Sequence, residues 1–222
     1  MIQKLHRKIS RFYLFGILIF FIACSSETEK KVDVEEEEQT ITEEEMQLLE
    51  VGLHQLQSWR EFWRTHESSF ASADFVLDRT DTFEQLEWPE ENYIVSGSPF
   101  HPYLLANPEG KGQVDIYSYK IVYPESGGPF LNPDSEVIYF KENGMRERLL
   151  FMGPSGIFED AVWVSSDHLL VAGFFEADSG ITPKIWLIDT EDYKLTVFKN
   201  SVFTSKYPKE GYLRKKLSTL NF

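Results

Sequence analysis

The first periodic segment of the chain places apolar side chains three and four residues apart, the spacing of an amphipathic helix. Thr42 is followed three residues later by Glu45, which is the pattern of a capping box, and acids at 43–45 suit the positive end of a helix. The segment predicts a helix over 42–66 that packs on the rest of the domain. Its apolar stripe consists of Met46, Leu49, Leu53, Leu56, Trp59, Phe62 and Trp63.

From Phe75 onward the pattern changes to short apolar runs separated by turn residues, such as Asn143-Gly144 and Asp178-Ser179-Gly180. Many short runs with tight turns between them predict antiparallel strands and a mainly β fold. The predicted strands cover 75–77, 93–95, 103–105, 114–123, 136–141, 147–152, 161–164, 169–175, 184–189 and 194–199.

The β-region contains a weak internal repeat. Residues 99–110 (PFHPYLLANPEG) match residues 157–168 (IFEDAVWVSSDH), so Phe100 aligns with Phe158 and the turn at 107–109 aligns with the turn at 165–167. A strand pair follows each copy, at 136–151 and at 184–198. The repeat predicts antiparallel sheets built from two four-stranded meander units, either a sandwich or part of a propeller. The N-terminal helix would cover an edge or an open face.

The segment at 163–174 (WVSSDHLLVAGF) is similar to the strand–turn–strand opening of β-propeller blades. A closed propeller has at least about four blades, so two units cannot close a ring. The resemblance therefore implies at most a partial propeller, and two packed sheets are the alternative.

The N-terminal segment has the pattern of an export signal. Four bases and no acids precede residue 12, twelve apolar or small residues follow, and the run ends at Cys24, the only cysteine of the chain. A stable membrane span needs about 20 apolar residues, so this run is short for one. The box at 21–24 (FIAC) resembles that of bacterial lipoproteins. The resemblance implies that residues 1–23 are a cleaved signal peptide and that Cys24 carries acyl chains such as palmitate. An uncleaved anchor is the alternative.

The lipoprotein resemblance also implies a location and a domain organisation. Ser25, rather than Asp, follows Cys24, which favours the outer membrane, and residues 25–29 (SSETE) are similar to surface-export tags. A surface-facing and a periplasm-facing domain both stay open. Residues 24–40 are acidic and nearly free of apolar side chains, which predicts a disordered tether. Residues 41–222 are then a single β-rich domain.

The formal net charge of −14 excludes one class of partner. Removing the four bases of residues 1–23 leaves −18, and residues 25–45, with ten acids and two lysines, account for −8 of it. The body therefore carries about −10. Nucleic acid is bound by Lys and Arg that neutralise phosphates, so it is not an expected partner. Residues 206–216 hold five bases and one acid and are interpreted as a solvated terminal segment.

Residue types that carry catalysis are sparse. Cys24 is assigned to lipid, Ser155 in GPSG lacks the strand-to-helix context of a nucleophile elbow, and no two histidines stand at ligand spacing. We therefore expect no metal and no cofactor. Paired carboxylates remain, because glycosidases use two carboxyls about 5–9 Å apart. The candidates are Glu159, Asp160, Asp115 and Glu176, for which positions on a solvated surface are the alternative.

Tyrosines alternate along the predicted strand at 114–123. In a single strand, Tyr117, Tyr119 and Tyr123 share one face, which suits either core packing or a binding surface. These patterns favour a lipid-anchored envelope protein that binds an envelope protein or a glycan and is not an enzyme. Two alternatives stay open: a carboxylate-dependent polysaccharide hydrolase, and an inhibitor of an envelope enzyme that acts through the loop at 125–134.

Overall fold

Two antiparallel five-stranded sheets and a pair of N-terminal helices form three layers. The computed structural model describes residues 40–220 and Phe222, all of which fall in the compact unit Glu38–Phe222. The predicted signal peptide, Cys24 and the tether up to residue 39 lie outside the described residues. The fold is mainly β and antiparallel, as the sequence predicts.

Sheet A contains β1 (Val76–Thr82), β9 (Gly156–Trp163), β10 (His168–Ala177), β11 (Gly180–Asp189) and β12 (Lys194–Lys199). Sheet B contains β2 (Glu87–Pro89), β3 (Leu105–Ala106), β4 (Gly112–Asp115), β7 (Ser135–Lys141) and β8 (Met145–Met152). A two-stranded sheet of β5 (Ile121–Val122) and β6 (Phe130–Leu131) is inserted between β4 and β7.

Both predicted four-stranded meanders are present. Sheet A runs in the order β1-β12-β11-β10-β9 and sheet B in the order β2-β8-β7-β4-β3. Each sheet is therefore one meander extended by a single earlier strand, β1 beside β12 and β2 beside β8. Because β1 and β2 follow one another in the chain, this segment ties the two meanders together.

The predicted helix at 42–66 is two helices, α1 (Glu43–Gln55) and α2 (Gln57–His66), separated at Leu56. The capping box is confirmed, since the Glu45 amide donates to Thr42 Oγ1 (3.1 Å) and the Thr42 amide donates to Glu45 Oε2 (2.9 Å). A third helix, α3 (Gly211–Lys216), follows the sheets, and 3₁₀ turns cover Ser72–Asp74, His101–Tyr103 and Ser218–Leu220. Within the described part of the chain, no helix combines the length and apolar character needed to cross a bilayer.

Sheet A is the central layer and is buried on both faces. Along β10, Leu169 and Val171 point toward sheet B, whereas Leu170 and Ala172 point toward α1 and α2. The helices approach closely at Gly52, where a Cβ atom would lie 2.7 Å from Leu170 Cδ1. Only glycine allows α1 to pack this tightly on β10. The near-continuous apolar run of β10 is thus the sequence pattern of a strand covered on both sides.

Three predicted elements are wrong. The segment at 93–95 is not a strand, because it pairs with no strand of either sheet. The strand predicted at 114–123 ends at Asp115, because the Asp115 carboxylate accepts hydrogen bonds from the amides of Tyr117 (3.0 Å) and Ser118 (3.1 Å) and turns the chain. Residues 206–216 are not a solvated terminal segment, because Tyr212 and Leu213 of α3 are fully buried. Because these two apolar residues lie within a short stretch rich in bases, the sequence pattern does not indicate that α3 is amphipathic.

Glu45 joins the helical layer to β12 of sheet A. Thr196 Oγ1 donates to its carboxylate at 2.6 Å, and Lys194 Nζ lies 2.9 Å away. Burial raises the pKa of Glu45, but the hydrogen bonds from Thr196, the Thr42 amide and Lys194 together outweigh it and lower the pKa to about 2. The ionised carboxylate therefore contributes to the stability of the fold.

We expect Glu45→Gln to lower the free energy of unfolding at pH 7 by roughly 2 kcal/mol. Since the folded pKa lies below the ordinary 4.5, the contribution of Glu45 is complete above pH 4.5 and is lost as the pH falls toward 2. Urea titrations between pH 2 and 7 would show a weaker acid sensitivity in the variant. Glu44→Gln, an exposed acid in the same helical turn, is the control. Equal losses in both variants would contradict the assignment.

Candidate functional site

Two consecutive acids of β9, Glu159 and Asp160, enter the interior at an irregularity in the pairing with β10. Ala172 pairs with Asp160 and the next residue, Gly173, pairs with Phe158, so Glu159 is the extra residue of a β-bulge. Glu159 is 0% exposed and Asp160 is 3% exposed. The expectation of a solvated position is therefore wrong for both, and neither is accessible to a polymeric substrate.

The Glu159 carboxylate faces the helical layer. Trp59 Nε1 donates to Oε2 and the Tyr207 hydroxyl donates to Oε1, each at 2.8 Å. Burial raises the pKa of Glu159 to about 8, and the neighbouring Asp160 adds to the increase. The same burial, together with the charge of Glu159, raises the pKa of Tyr207. These contacts hold α2 and the segment before α3 against β9.

Asp160 faces the C-terminal segment. Its carboxylate accepts a hydrogen bond from the Tyr212 hydroxyl, and each of its two oxygens lies 2.9 Å from Lys216 Nζ. The Tyr117 hydroxyl lies 3.4 Å from Asp160 Oδ1 and 3.2 Å from the Glu159 carbonyl oxygen, to which it donates. The acid pair is thus a structural junction, in which aromatic hydroxyls and a lysine satisfy buried carboxylates.

The other predicted site residues lie apart from one another. Asp115 is buried and caps its turn, and Glu176 pairs with Lys209 Nζ at 2.5 Å. Of the tyrosines, Tyr117 is buried, Tyr119 is half-buried and Tyr123 is exposed. The three rings do not share a strand face, because the chain turns between β4 and β5. Cys24, the predicted lipidation site, lies outside the described residues.

The sequence did not draw attention to a polar pocket at one end of the sandwich, which we call the turn-end pocket. Four hairpin turns from both sheets surround a volume of about 520 Å³. The turns connect β3 to β4, β7 to β8, β9 to β10 and β11 to β12. The lining residues are Lys111, Tyr139, Lys141, Glu142, Asn143, Asp167, Thr190 and Glu191.

The internal repeat explains why these turns meet. The turn after Asn107 and the turn at 165–167 are equivalent in the two repeats, and Asn107 Nδ2 donates to the Ser166 carbonyl oxygen at 2.7 Å. Lys111 Nζ then donates to Asp167 Oδ1, also at 2.7 Å. Equivalent ends of the two meanders therefore face each other across the pocket. The repeat was visible in the sequence, but no local motif marks lining residues spread over eighty positions.

Opposite charges hold the lysines of the pocket in place. Lys141 Nζ lies 2.8 Å from Glu87 and 2.7 Å from the fully buried Glu147. Burial lowers the pKa of Lys141, but these two carboxylates outweigh it and the pKa is raised. The Asp167 carboxylate likewise raises the pKa of Lys111. Both lysines of the pocket are thus already paired within the protein, and the five carboxylates around them leave an excess of negative charge.

Because the lysines are already paired and the excess charge is negative, the pocket suits a neutral polar ligand better than an anion. No group of three or more His, Cys, Asp or Glu suited to a metal ion occurs among residues 40–220 and Phe222. No protein-family model, curated protein or solved structure matches this chain. The function of the pocket must therefore be argued from its geometry.

The raised pKa of Glu159 gives a prediction with the opposite sign to that of Glu45. Because the folded state holds the proton more tightly than the ordinary pKa of 4.5 implies, the contribution of Glu159 to stability is complete below pH 4.5 and is lost as the pH rises to about 8. We expect a loss of up to about 4 kcal/mol across this window. Glu159→Gln, which stays neutral, should remove most of the loss.

Urea titrations at pH 5, 7 and 9 measure this effect outside the range in which Glu45 titrates. Glu176→Gln is the control, since this acid is only half-buried and pairs with an exposed lysine. Parallel pH profiles for the wild type and Glu159→Gln would show that Glu159 is not the titrating group.

Proposed function

We propose that this protein is a bacterial lipoprotein, anchored to the outer membrane through lipid on Cys24, whose β-domain binds an envelope saccharide. The turn-end pocket is its binding site. The observation that carries the proposal is the meeting of equivalent turns from the two meanders around one polar pocket. Turns at one end of a rigid sandwich are a common location for binding residues.

The chemistry of the pocket favours a saccharide over other small ligands. A volume of about 520 Å³ lies within the range of small-molecule sites. Lys111 and Lys141 supply donors, Glu142, Asp167 and Glu191 supply acceptors, and ion pairs within the protein already neutralise both lysines. Hydroxyl groups both donate and accept, so a neutral polyhydroxylated ligand can use such a lining without leaving a charge unpaired.

Binding is a better interpretation than hydrolysis. A glycosidase brings two carboxyls to opposite sides of an accessible bond. Glu159 and Asp160 are instead sealed by aromatic side chains from α2 and the C-terminal segment. Their burial supports a structural role for the pair and leaves ligand recognition to the turns.

Lipidation is tested by labelling cells with an alkynyl palmitate analogue. We expect the full chain to take up the label and Cys24→Ser to lose it, because the thiol is the proposed attachment atom. The variant should also run as a larger, uncleaved species. An unlabelled wild type with the same mobility as Cys24→Ser would favour the uncleaved anchor and would leave the saccharide proposal untouched.

Saccharide binding is tested on an array of peptidoglycan fragments, O-antigen and capsule oligosaccharides. We expect Lys111→Gln to weaken binding by about tenfold, equivalent to one lost charge-assisted hydrogen bond. Unfolding stability should change by less than about 0.5 kcal/mol, because Lys111 is a surface residue. Lys209→Gln is the control, since Lys209 is similarly exposed and also pairs with a carboxylate. No binding to any saccharide, or equal losses in both variants, would overturn the proposed site.

A further inference from the structure

A second opening between the sheets is apolar. This inter-sheet cleft has a volume of about 550 Å³ and shares no lining residue with the turn-end pocket. Its apolar lining consists of Leu150, Phe151, Met152, Phe158, Phe175, Trp186 and Leu195. Gly153 and Ser155, the small residues of the GPSG turn between β8 and β9, lie at its edge. The charged lining residues are Arg79 and Lys184, both of which are cations.

Two phenylalanine rings at the mouth are exposed although the floor of the cleft is buried. Phe151 is 52% exposed and Phe175 is 39% exposed, whereas Phe158 and Trp186 are buried. The Arg148 guanidinium lies 5.5 Å from the centroid of the Phe151 ring, and Lys184 Nζ lies 5.4 Å from the centroid of Phe175. Exposed aromatic surface beside cations, continuous with an apolar cleft, is typical of a ligand site.

The charges at the mouth are not fully balanced. Lys184 Nζ and Lys199 Nζ share the carboxylate of Asp78 at 2.7 and 2.9 Å, and Arg79 pairs with Asp81 at 2.6 Å. The two lining cations, Arg79 and Lys184, and the adjacent Lys199 thus face two carboxylates, which leaves this cluster with one excess positive charge. This local excess stands out in a chain whose formal net charge is −14, and it would attract a single anionic group.

We propose that the inter-sheet cleft binds a long-chain fatty acid as its carboxylate. The acyl chain lies along the apolar lining between β8 and the strands of sheet A, and the carboxylate lies at Arg79 and Lys184. One chain and one negative charge match one cleft and one excess positive charge, whereas a phospholipid brings two chains. This site is independent of the turn-end pocket and of the lipid on Cys24.

The test uses membranes from cells that make the full chain. A photoactivatable dodecanoic acid carrying an alkyne is compared with the matching dodecylamine, and labelled peptides are identified by mass spectrometry. We expect the acid to label peptides containing Phe151 or Phe175 at least about tenfold more than the amine does. Excess laurate should remove this labelling. The double variant Phe151→Ser/Phe175→Ser should lose it, and Arg79→Gln should weaken it severalfold.

Phe130→Ser is the matched control, since Phe130 is also 52% exposed but lies on β6. It should leave labelling unchanged. Equal labelling by acid and amine, persistence in the double variant, or the same loss in Phe130→Ser would overturn the proposal. Labelling spread over all exposed peptides would indicate contact with the bilayer surface instead. Competition by phosphatidylglycerol vesicles but not by laurate would exclude a free fatty acid as the ligand.

Discussion

The carboxylate of Glu159 is the point on which the three-layer arrangement depends. Trp59 reaches it from α2 and Tyr207 reaches it from the segment before α3, so two distant parts of the chain converge on one bulge of β9. A buried carboxylate without hydrogen-bond donors would be strongly unfavourable, so Trp59 and Tyr207 must occupy the same positions in every folded molecule. The surrounding apolar contacts supply most of the stability, whereas this directional contact selects one docking position for the helices.

Sheet A is the middle layer, so both of its faces are covered. Its outer face is occupied by α1 and α2, and its inner face packs on sheet B. Openings to solvent therefore arise where the two inner faces separate. The turn-end pocket and the inter-sheet cleft are both such openings, one lined by paired charges and the other by aromatic and aliphatic side chains. A single architecture thus offers two chemically different surfaces to solvent.

The sequence was most informative where periodicity and turn chemistry agreed. The two meanders, the capping box and the apolar run of β10 follow from such patterns. Several failures come from acidic side chains whose hydrogen-bond partners, near or distant in the chain, are not indicated by the pattern of apolar positions. Asp115 ends its strand because its own carboxylate accepts hydrogen bonds from the following amides. Glu159 and Asp160 belong to β9, although charged side chains are normally expected in solvent. The turn-end pocket could not be predicted, because its residues come together only after both sheets have packed.

The packing of the helices on sheet A also constrains the order in which parts of the chain can fold. The contact between Trp59 and Glu159 spans 100 residues, and that between Glu45 and Thr196 spans 151. While the chain is synthesised from its N-terminal end, Trp59 of α2 can meet Phe70 and Phe75 early, whereas its hydrogen-bond partner Glu159 appears only about 100 residues later. Contacts of such long sequence separation slow folding. The helical layer can consequently complete its contacts with sheet A only after nearly the whole chain has been synthesised.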